Sequence, residues 1–444
     1  MNLVDVKQLD LIDVKESLLS SQMEDRILLW NQILAGKAPW NKEAPCSGVI
    51  DAIAGAIDDN VAEEMSVTAE SERLQEAMDD LTSRSSDIVQ YMVQCGGCVV
   101  RPLWAGRIKY EILQLGNYIP TSYDIDGTLT GAVLIKDFSE KGKDYSLVEK
   151  HHYENRTETV RVMLYEKKGD TYTPRPLSAT AKTETLTEEF QYNNIDQPMI
   201  VEFRTRKTNN IDGSRVPVAL YSGRENLLED ADRQYMRINW EQEAGEMRVF
   251  ASADLFRERQ GEAGGKLTVT PALRKLLVRI NDSGATGDKI QEYSPNLRTT
   301  EQVGAFQEIL RRIEICCKLG KGTLSDLEDA RMTATQYQGG KKVLYTTVDA
   351  YESELEYKYR RVAWIFAYLL SAYERVPFDP EIIVSYNDAA RKDPDQMRLA
   401  ALQELTNGII SKAEYRMRIF GEDEETATAK VPPAAEPTFG GMFN

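Results

Sequence analysis

The sequence predicts an α+β protein, and three observations carry that prediction. Apolar residues recur at helical spacing over Ser71 to Gln94, Arg224 to Phe250, Thr299 to Leu319 and Val343 to Tyr373. Between Cys98 and Val216 the pattern turns to short β-branched and aromatic runs of period two. Strands and helices do not alternate in a βαβ rhythm, so the sheet is expected to be antiparallel.

In chain order, Val4 to Gly36 reads as a helix with Ile27, Trp30 and Leu34 on one face, ended by Gly36 and Pro39. A second amphipathic helix is expected over Ser71 to Gln94. Its stripe of Leu74, Met78, Leu81, Ile88, Tyr91 and Met92 is interrupted by the polar run Ser83 to Ser86. Strands are expected at Ile108-Lys-Tyr-Glu-Ile-Leu113, Thr130-Gly-Ala-Val-Leu-Ile135, Ser146 to Tyr153, Thr159 to Tyr165 and Met199 to Phe203. Asp126-Gly127 and Lys168-Gly169-Asp170 supply the turn chemistry of hairpins. Helical spacing resumes at Arg224 and runs to Phe250, with breaks at Gly261 to Gly265 and at Pro295. Two further helices follow, Thr299 to Leu319 and Val343 to Tyr373. The polar, glycine-bearing connection between them is too long for a simple helical hairpin. The tail from Glu422 to Asn444 has little to bury and is expected to be mobile or to dock on a neighbour.

Composition narrows the classes. With 444 residues, 42% hydrophobic and 28% charged, the chain has material for two or three domains and a buried core. The longest uncharged apolar run, Val362 to Tyr373, falls short of the roughly 20 residues that a membrane crossing needs. Met1 to Leu11 alternates charge with apolar residues, so no secretion signal is expected either. Five cysteines, Cys46, Cys95, Cys98, Cys316 and Cys317, make no disulfide framework and fit a reducing cytoplasm. A net charge of -17 leaves no global basic field for phosphate neutralisation. Any contact with DNA is therefore expected to be local or weak.

Several motifs invite a chemical reading. Asp124-Ile-Asp-Gly-Thr-Leu129 matches the DxDGT pattern in which one aspartate attacks phosphorus and the next moves the proton. That chemistry needs a buried parallel strand before the first aspartate, whereas Tyr118-Ile-Pro-Thr-Ser-Tyr123 carries a proline. A hairpin turn centred on Asp126-Gly127 is the preferred reading. Cys95-Gly-Gly-Cys98 has CxxC spacing without the further ligands of a zinc site. The only histidines, His151 and His152, are adjacent in a strand and point to opposite faces, which argues against a shared metal. Gly320-Lys-Gly-Thr323 and Gly339-Gly-Lys-Lys342 lack P-loop spacing. Tyr351, Tyr357, Tyr359, Trp364, Phe366 and Tyr368 lie on a helix and are expected to be core or inter-subunit packing. No enzyme site emerges.

The order of segments nevertheless has a counterpart. Leu29-Trp-Asn-Gln-Ile-Leu-Ala-Gly-Lys-Ala-Pro-Trp40 is followed by Gly96 to Pro102, by Ile108 to Leu134, and by Lys150-His-His-Tyr-Glu-Asn155. Next come Pro295-Asn-Leu-Arg298, Phe306-Gln-Glu-Ile-Leu-Arg-Arg-Ile-Glu314, Gly322-Thr-Leu324 and Met332-Thr-Ala-Thr-Gln336. Val384 to Asp388, Gln403 to Ser411 and Tyr415-Arg-Met-Arg-Ile-Phe-Gly421 complete the series. Through its order and spacing, this series resembles the portal proteins of tailed bacteriophages, particularly those of siphophages of Gram-positive hosts.

The resemblance implies a portal fold with a β-rich wing, long stem helices, a small α/β clip and a helical crown. The wing would be residues 1–223, the first stem helix 224–250, the clip 251–296 and the second stem helix 297–319. A tunnel loop at 320–335, a long helix at 336–375 joining wing and crown, and a crown with a mobile tail at 376–444 would follow. It implies a ring of about twelve subunits around a channel that passes double-stranded DNA without reading its sequence. The implied partners are a terminase large subunit, a head-completion adaptor, and the major capsid and scaffolding proteins, with no membrane. No cofactor, metal or catalytic residue is implied. The protein would sit at the portal vertex of the virion after synthesis in the host cytoplasm. The candidate channel residues in the tunnel loop are Lys318, Lys321, Thr323, Asp326, Glu328 and Arg331. Lys318, Lys321, Arg331, Lys341 and Lys342 form a cationic cluster that would touch passing phosphates; the same lysines and arginine read equally well as solvated helix ends. The alternatives are a phage neck or baseplate protein and, on Asp124 and Asp126 alone, a haloacid-dehalogenase-like phosphatase.

Overall fold

The computed structural model describes residues 18–169, 171–245, 248–252, 277–280, 290–293, 296–326, 334–386 and 394–431. Expectations placed on residues 1–17, 253–276, 327–333 and 432–444 lie outside them. The chain divides into two units, Met1–Val384 and Ser385–Asn444. The architecture is mixed α+β.

Helix α1, Ser21–Leu34, starts where the Ser20 hydroxyl accepts the Met23 N–H at 3.2 Å, satisfying one of the free donors of the first turn. Met23, Ile27, Trp30 and Ile33 are its buried face, so Ile33 takes the place expected of Leu34. Helix α2, Val49–Val61, buries Ile50, Ile53, Ile57 and Val61 and was not among the expected helices. A short strand β1, Met65–Ala69, precedes α3, Glu72–Thr82, and α4, Ser85–Cys95. The single helix expected over Ser71 to Gln94 is thus two, broken where the polar Ser83 to Ser86 run interrupts the stripe.

The β-rich region forms two antiparallel sheets. Strands β2, Gly97–Trp104, and β3, Ile108–Gln114, pair as a hairpin. Five further strands follow: β4, Tyr118–Tyr123; β5, Leu129–Glu140; β6, Lys143–Glu154; β7, Thr157–Lys168; and β8, Thr171–Arg175. They run in sequential order in one sheet, and β9, Glu189–Asn193, adds to β7. Strand β10, Val201–Arg204, returns to pair with β2. Four of the five expected strands fall within these elements, and the fifth, Met199 to Phe203, begins two residues before β10. Pro120 lies in β4 at the edge of the larger sheet, beside a register shift, where the missing N–H is tolerated. Tyr145, Leu147, Val160, Val162, Leu164 and Leu177 are one buried cluster of that sheet, covered by Phe138, Phe190 and Tyr192.

Helix α5, Glu225–Ala244, is fastened to the N-terminal helices through buried carboxylates. Glu225 accepts the Trp30 indole N–H at 3.0 Å, and Asp232 accepts that of Trp40 at 2.8 Å. The helix ends at Ala244 rather than at Phe250, because Gly245 caps it and Arg248–Ser252 is already strand β11. Strands β12, Leu277–Ile280, and β13, Ile290–Tyr293, flank β11; β12 is parallel to it and β13 antiparallel. Helix α6, Thr299–Cys317, then packs on α5: Arg298 bonds Glu241 at 3.0 Å, and the Gln234 amide donates to the Gln302 carbonyl at 3.0 Å. Contacts running 241 to 298 and 234 to 302 make the two helices antiparallel. The small mixed sheet β11–β13 is inserted at the turn of this helical pair.

Helix α7, Ala334–Glu374, has 41 residues and so spans about 60 Å. Val348, Tyr351, Leu355, Tyr359, Val362 and Phe366 bury one face of it. Tyr359 meets Phe203 of β10 edge-on at 5.8 Å, and Tyr373 stacks on Trp104 of β2 at 5.1 Å. The aromatic stripe is therefore core at Tyr351, Tyr359 and Phe366, while Tyr357 is exposed. Strand β14, Ile382–Tyr386, belongs to a two-stranded sheet with β1.

The second unit contains α8, Pro394–Thr406, α9, Lys412–Phe420, and α10, Glu424–Ala429. Ser411 and Glu414 form a reciprocal capping box that starts α9. Arg418 bonds Glu404 at 2.8 Å, and Glu422 takes both Arg416 and Lys430. The first part of the expected mobile tail is thus helical at Glu424–Ala429. Among the described residues, no helix is long and apolar enough to cross a membrane.

Candidate functional site

The connection after α6 is the segment on which the sequence placed its candidate residues. Leu310, Ile313, Glu314 and Cys317 turn inward near the end of that helix. Lys318 ends it in the left-handed conformation at φ 55°, and Gly320 and Gly322 follow at φ 81° and 83°. Glycine adopts that region without the Cβ clash that other residues meet. These turns fold the chain back over α6, and Leu319 is fully buried beneath.

The Glu314 carboxylate, 1% exposed, receives the returning chain. One oxygen accepts the N–H groups of Leu324 and Ser325 at 2.6 and 2.7 Å, and the other accepts that of Gly322 at 3.2 Å. The Ser325 hydroxyl lies 3.0 Å from both oxygens. Farther back along α6, the Gln307 side-chain carbonyl accepts the Asp326 N–H at 2.7 Å. The Thr323 hydroxyl donates to the Leu319 carbonyl at 2.6 Å, and Thr347 of α7 donates to the Lys318 carbonyl at 2.8 Å. Beneath the loop, burial pushes the Cys317 thiol up to about 12, so it is no thiolate.

The candidate residues therefore divide. Lys318, Lys321 and Asp326 are exposed, with no ion-pair partner among the described residues, whereas Thr323 is half-buried and its hydroxyl is engaged. Glu328 and Arg331 lie outside the described residues. Lys341 and Lys342 are exposed near the start of the described face of α7. Glu314 and Gln307, which hold the loop, were missed by sequence reasoning. The available signal was an acidic residue on an inward helical position six residues before the Gly320-Lys-Gly322 turn.

Elsewhere the motifs resolve into structure. Asp124 and Asp126 sit in the turn between antiparallel β4 and β5, with Gly127 at φ 86° donating to the Asp124 carbonyl at 3.0 Å. Asp126 accepts the Thr128 N–H and hydroxyl at 2.8 and 2.9 Å, as in an Asx turn. Its carboxyl is pushed up by burial but pulled further down by those donors, and lies below the usual range. Neither aspartate ends a parallel strand, the placement that aspartyl-phosphate chemistry requires. Arg204, Arg215 and Lys358 face the same open cavity of about 420 Å³. Each is engaged: Arg204 with Glu202 at 3.7 Å, Lys358 with Glu354 at 3.6 Å, and Arg215 with the Asp124 and Ile125 carbonyls.

His151 and His152 do point to opposite faces, one buried and one exposed. His151 Nδ1 lies 2.6 Å from Glu158, and Nε2 lies 3.4 Å from Glu149, which in turn pairs with Arg101 at 2.6 Å. Burial opposes charge on His151, but its bonds to Glu149 and Glu158 outweigh it and raise the pKa above the usual value. Burial likewise opposes ionisation of Glu149, and the His151 bond and Arg101 charge outweigh it, leaving that carboxyl low. Burial holds Cys95 up at about 12 and raises Cys98 as well. Among the described residues no group of three or more His, Cys, Asp or Glu side chains is arranged to hold a metal ion. A comparison with protein-family models gives no match, and neither does a comparison with curated protein sequences.

Proposed function

We propose that this chain is a subunit of a bacteriophage portal ring, the conduit through which double-stranded DNA is packaged into the capsid and later ejected. The observation that carries the reading is the antiparallel pair α5 and α6 with a small mixed sheet inserted at its turn. A stem of two helices tipped by a clip has this form, and on this reading the connection after α6 is the tunnel loop. The long α7 then returns to the β-rich region, as a helix joining wing and crown does.

Charge supports the same reading. A subunit at -17, repeated around a closed ring, gives a strongly negative channel or exterior, and a negative channel wall repels phosphates, so DNA slides without adhering. Lys318 and Lys321 at the loop supply isolated cations for transient contacts. The protein acts as a conduit and not as an enzyme; the terminase would supply ATP hydrolysis, and the adaptor, capsid and scaffolding proteins would bind the ring's outer surfaces. The test is removal of residues 323–329. The shortened protein, carrying Glu314→Ala so that no carboxylate is left buried without its donors, is expected to assemble and to fail in DNA packaging; normal packaging would remove the loop from the function.

A further inference from the structure

Glu314 stands in the last turn of α6, where the negative end of the helix dipole disfavours a carboxylate. It is 1% exposed, and no cation pairs with it among the described residues. A buried charge in such a place is retained only if donors surround it. Here the donors all come from the chain immediately after the helix: Gly322, Leu324 and Ser325 N–H and the Ser325 hydroxyl.

Gln307 is seven residues, or two turns, before Glu314 and so lies on the same face of α6. It takes the next donor in line, the Asp326 N–H at 2.7 Å. The chain from Gly322 to Asp326 therefore runs back down the helix from one side chain to the other. The backbone positions of Glu314 and Gln307 are about 10 Å apart along α6, given 1.5 Å per residue, yet their side chains hold the consecutive amides of Ser325 and Asp326, so they reach toward each other along that face.

We infer that Glu314 and Gln307 are positioning residues that strap residues 322–326 onto α6 and fix where the chain stands at Asp326. The inference rests on the portal reading for its consequence in DNA passage but not for the strap itself. With the strap released, Gly320 and Gly322 would allow the chain many paths from the helix end. With it made, the chain stands at the same place at Asp326 in every subunit, as the symmetry of a closed ring around DNA requires.

The experiment is hydrogen exchange on the assembled full-length protein, with DNA packaging measured on the same variants. Glu314→Ala is expected to speed exchange at Gly322, Leu324, Ser325 and Asp326 roughly 100-fold, and Glu314→Gln, which keeps one acceptor, roughly 10-fold. Amides in β2, β10 and α5 should stay at wild-type rates. Ser325→Ala, which removes only a hydroxyl, gives a milder second variant should Glu314→Ala fail to fold; it is expected to speed exchange several-fold. Unchanged exchange at residues 322–326 in the folded variants would overturn the strap. Faster local exchange with reduced packaging supports the inference, partial rescue by Glu314→Gln included. Faster local exchange with normal packaging overturns the positioning role. If packaging also survives removal of residues 323–329, it is the portal reading of the loop that fails, and the exchange result still decides the strap.

Discussion

His151 shows how a single residue couples the sheet to pH. Its ring bridges Glu149 and Glu158 inside β6 and β7, and its pKa is raised above 6.5. A raised pKa means that the native state favours the charged ring, so the stabilisation is complete below 6.5 and is lost as pH climbs through the raised value. Glu149 acts in the opposite sense. Its lowered pKa gives a contribution that is present above 4.5 and is lost as pH falls through the lowered value. Replacing His151 by Gln is expected to cost about 3 kcal/mol at mildly acidic pH, because two buried carboxylates lose a cation. Denaturant unfolding at several pH values should show that deficit shrinking toward alkaline pH; a deficit independent of pH would mean that the ring is not charged in the native state. The opposite faces of His151 and His152 were legible from strand periodicity. The carboxylate flanking His151 from β7 was not, since register between strands is a tertiary property.

At the scale of elements, local patterns gave the right type where one signal dominated. The period-two runs and the Asp126-Gly127 turn became β3, β5, β6, β7 and β10 and the β4–β5 hairpin. Boundaries failed where a cap competed with an apolar run. Gly245 stops α5 and lets Val249 and Phe250 enter a strand, although their apolar spacing also fits a helix. Cys95-Gly-Gly-Cys98 taught a different lesson, because its information lies in the glycines. Gly96 caps α4 at φ 96°, and a Cβ there would stand 2.6 Å from the Val218 carbonyl carbon. At Gly97 a Cβ would meet the Phe203 carbonyl oxygen at 2.6 Å. Gly96→Ala is therefore expected to destabilise the protein by about 3 kcal/mol, combining strain with backbone displacement, while Cys98→Ala costs less. Thermal unfolding of the two variants checks the order; equal losses would return the weight of the motif to its cysteines.

The whole molecule presents surfaces that a lone subunit leaves open. Trp240 on α5 is 62% exposed and Ile315 on α6 is 77% exposed, both on the helical pair proposed as the stem. Subunits of a ring bury such lateral faces against their neighbours, and a closed ring does so without leaving unsatisfied ends. Amphipathic spacing made these helices legible, but it could not separate faces that meet within the chain from faces that meet another copy. The same ambiguity hid the role of Glu314, whose partners come from the loop and not from a neighbouring helix. The most direct measurement is the mass of the purified particle by light scattering, with end-on views by negative-stain imaging. The account predicts a closed ring of about twelve 50.2 kDa subunits with an open centre. A compact monomer or dimer would contradict it.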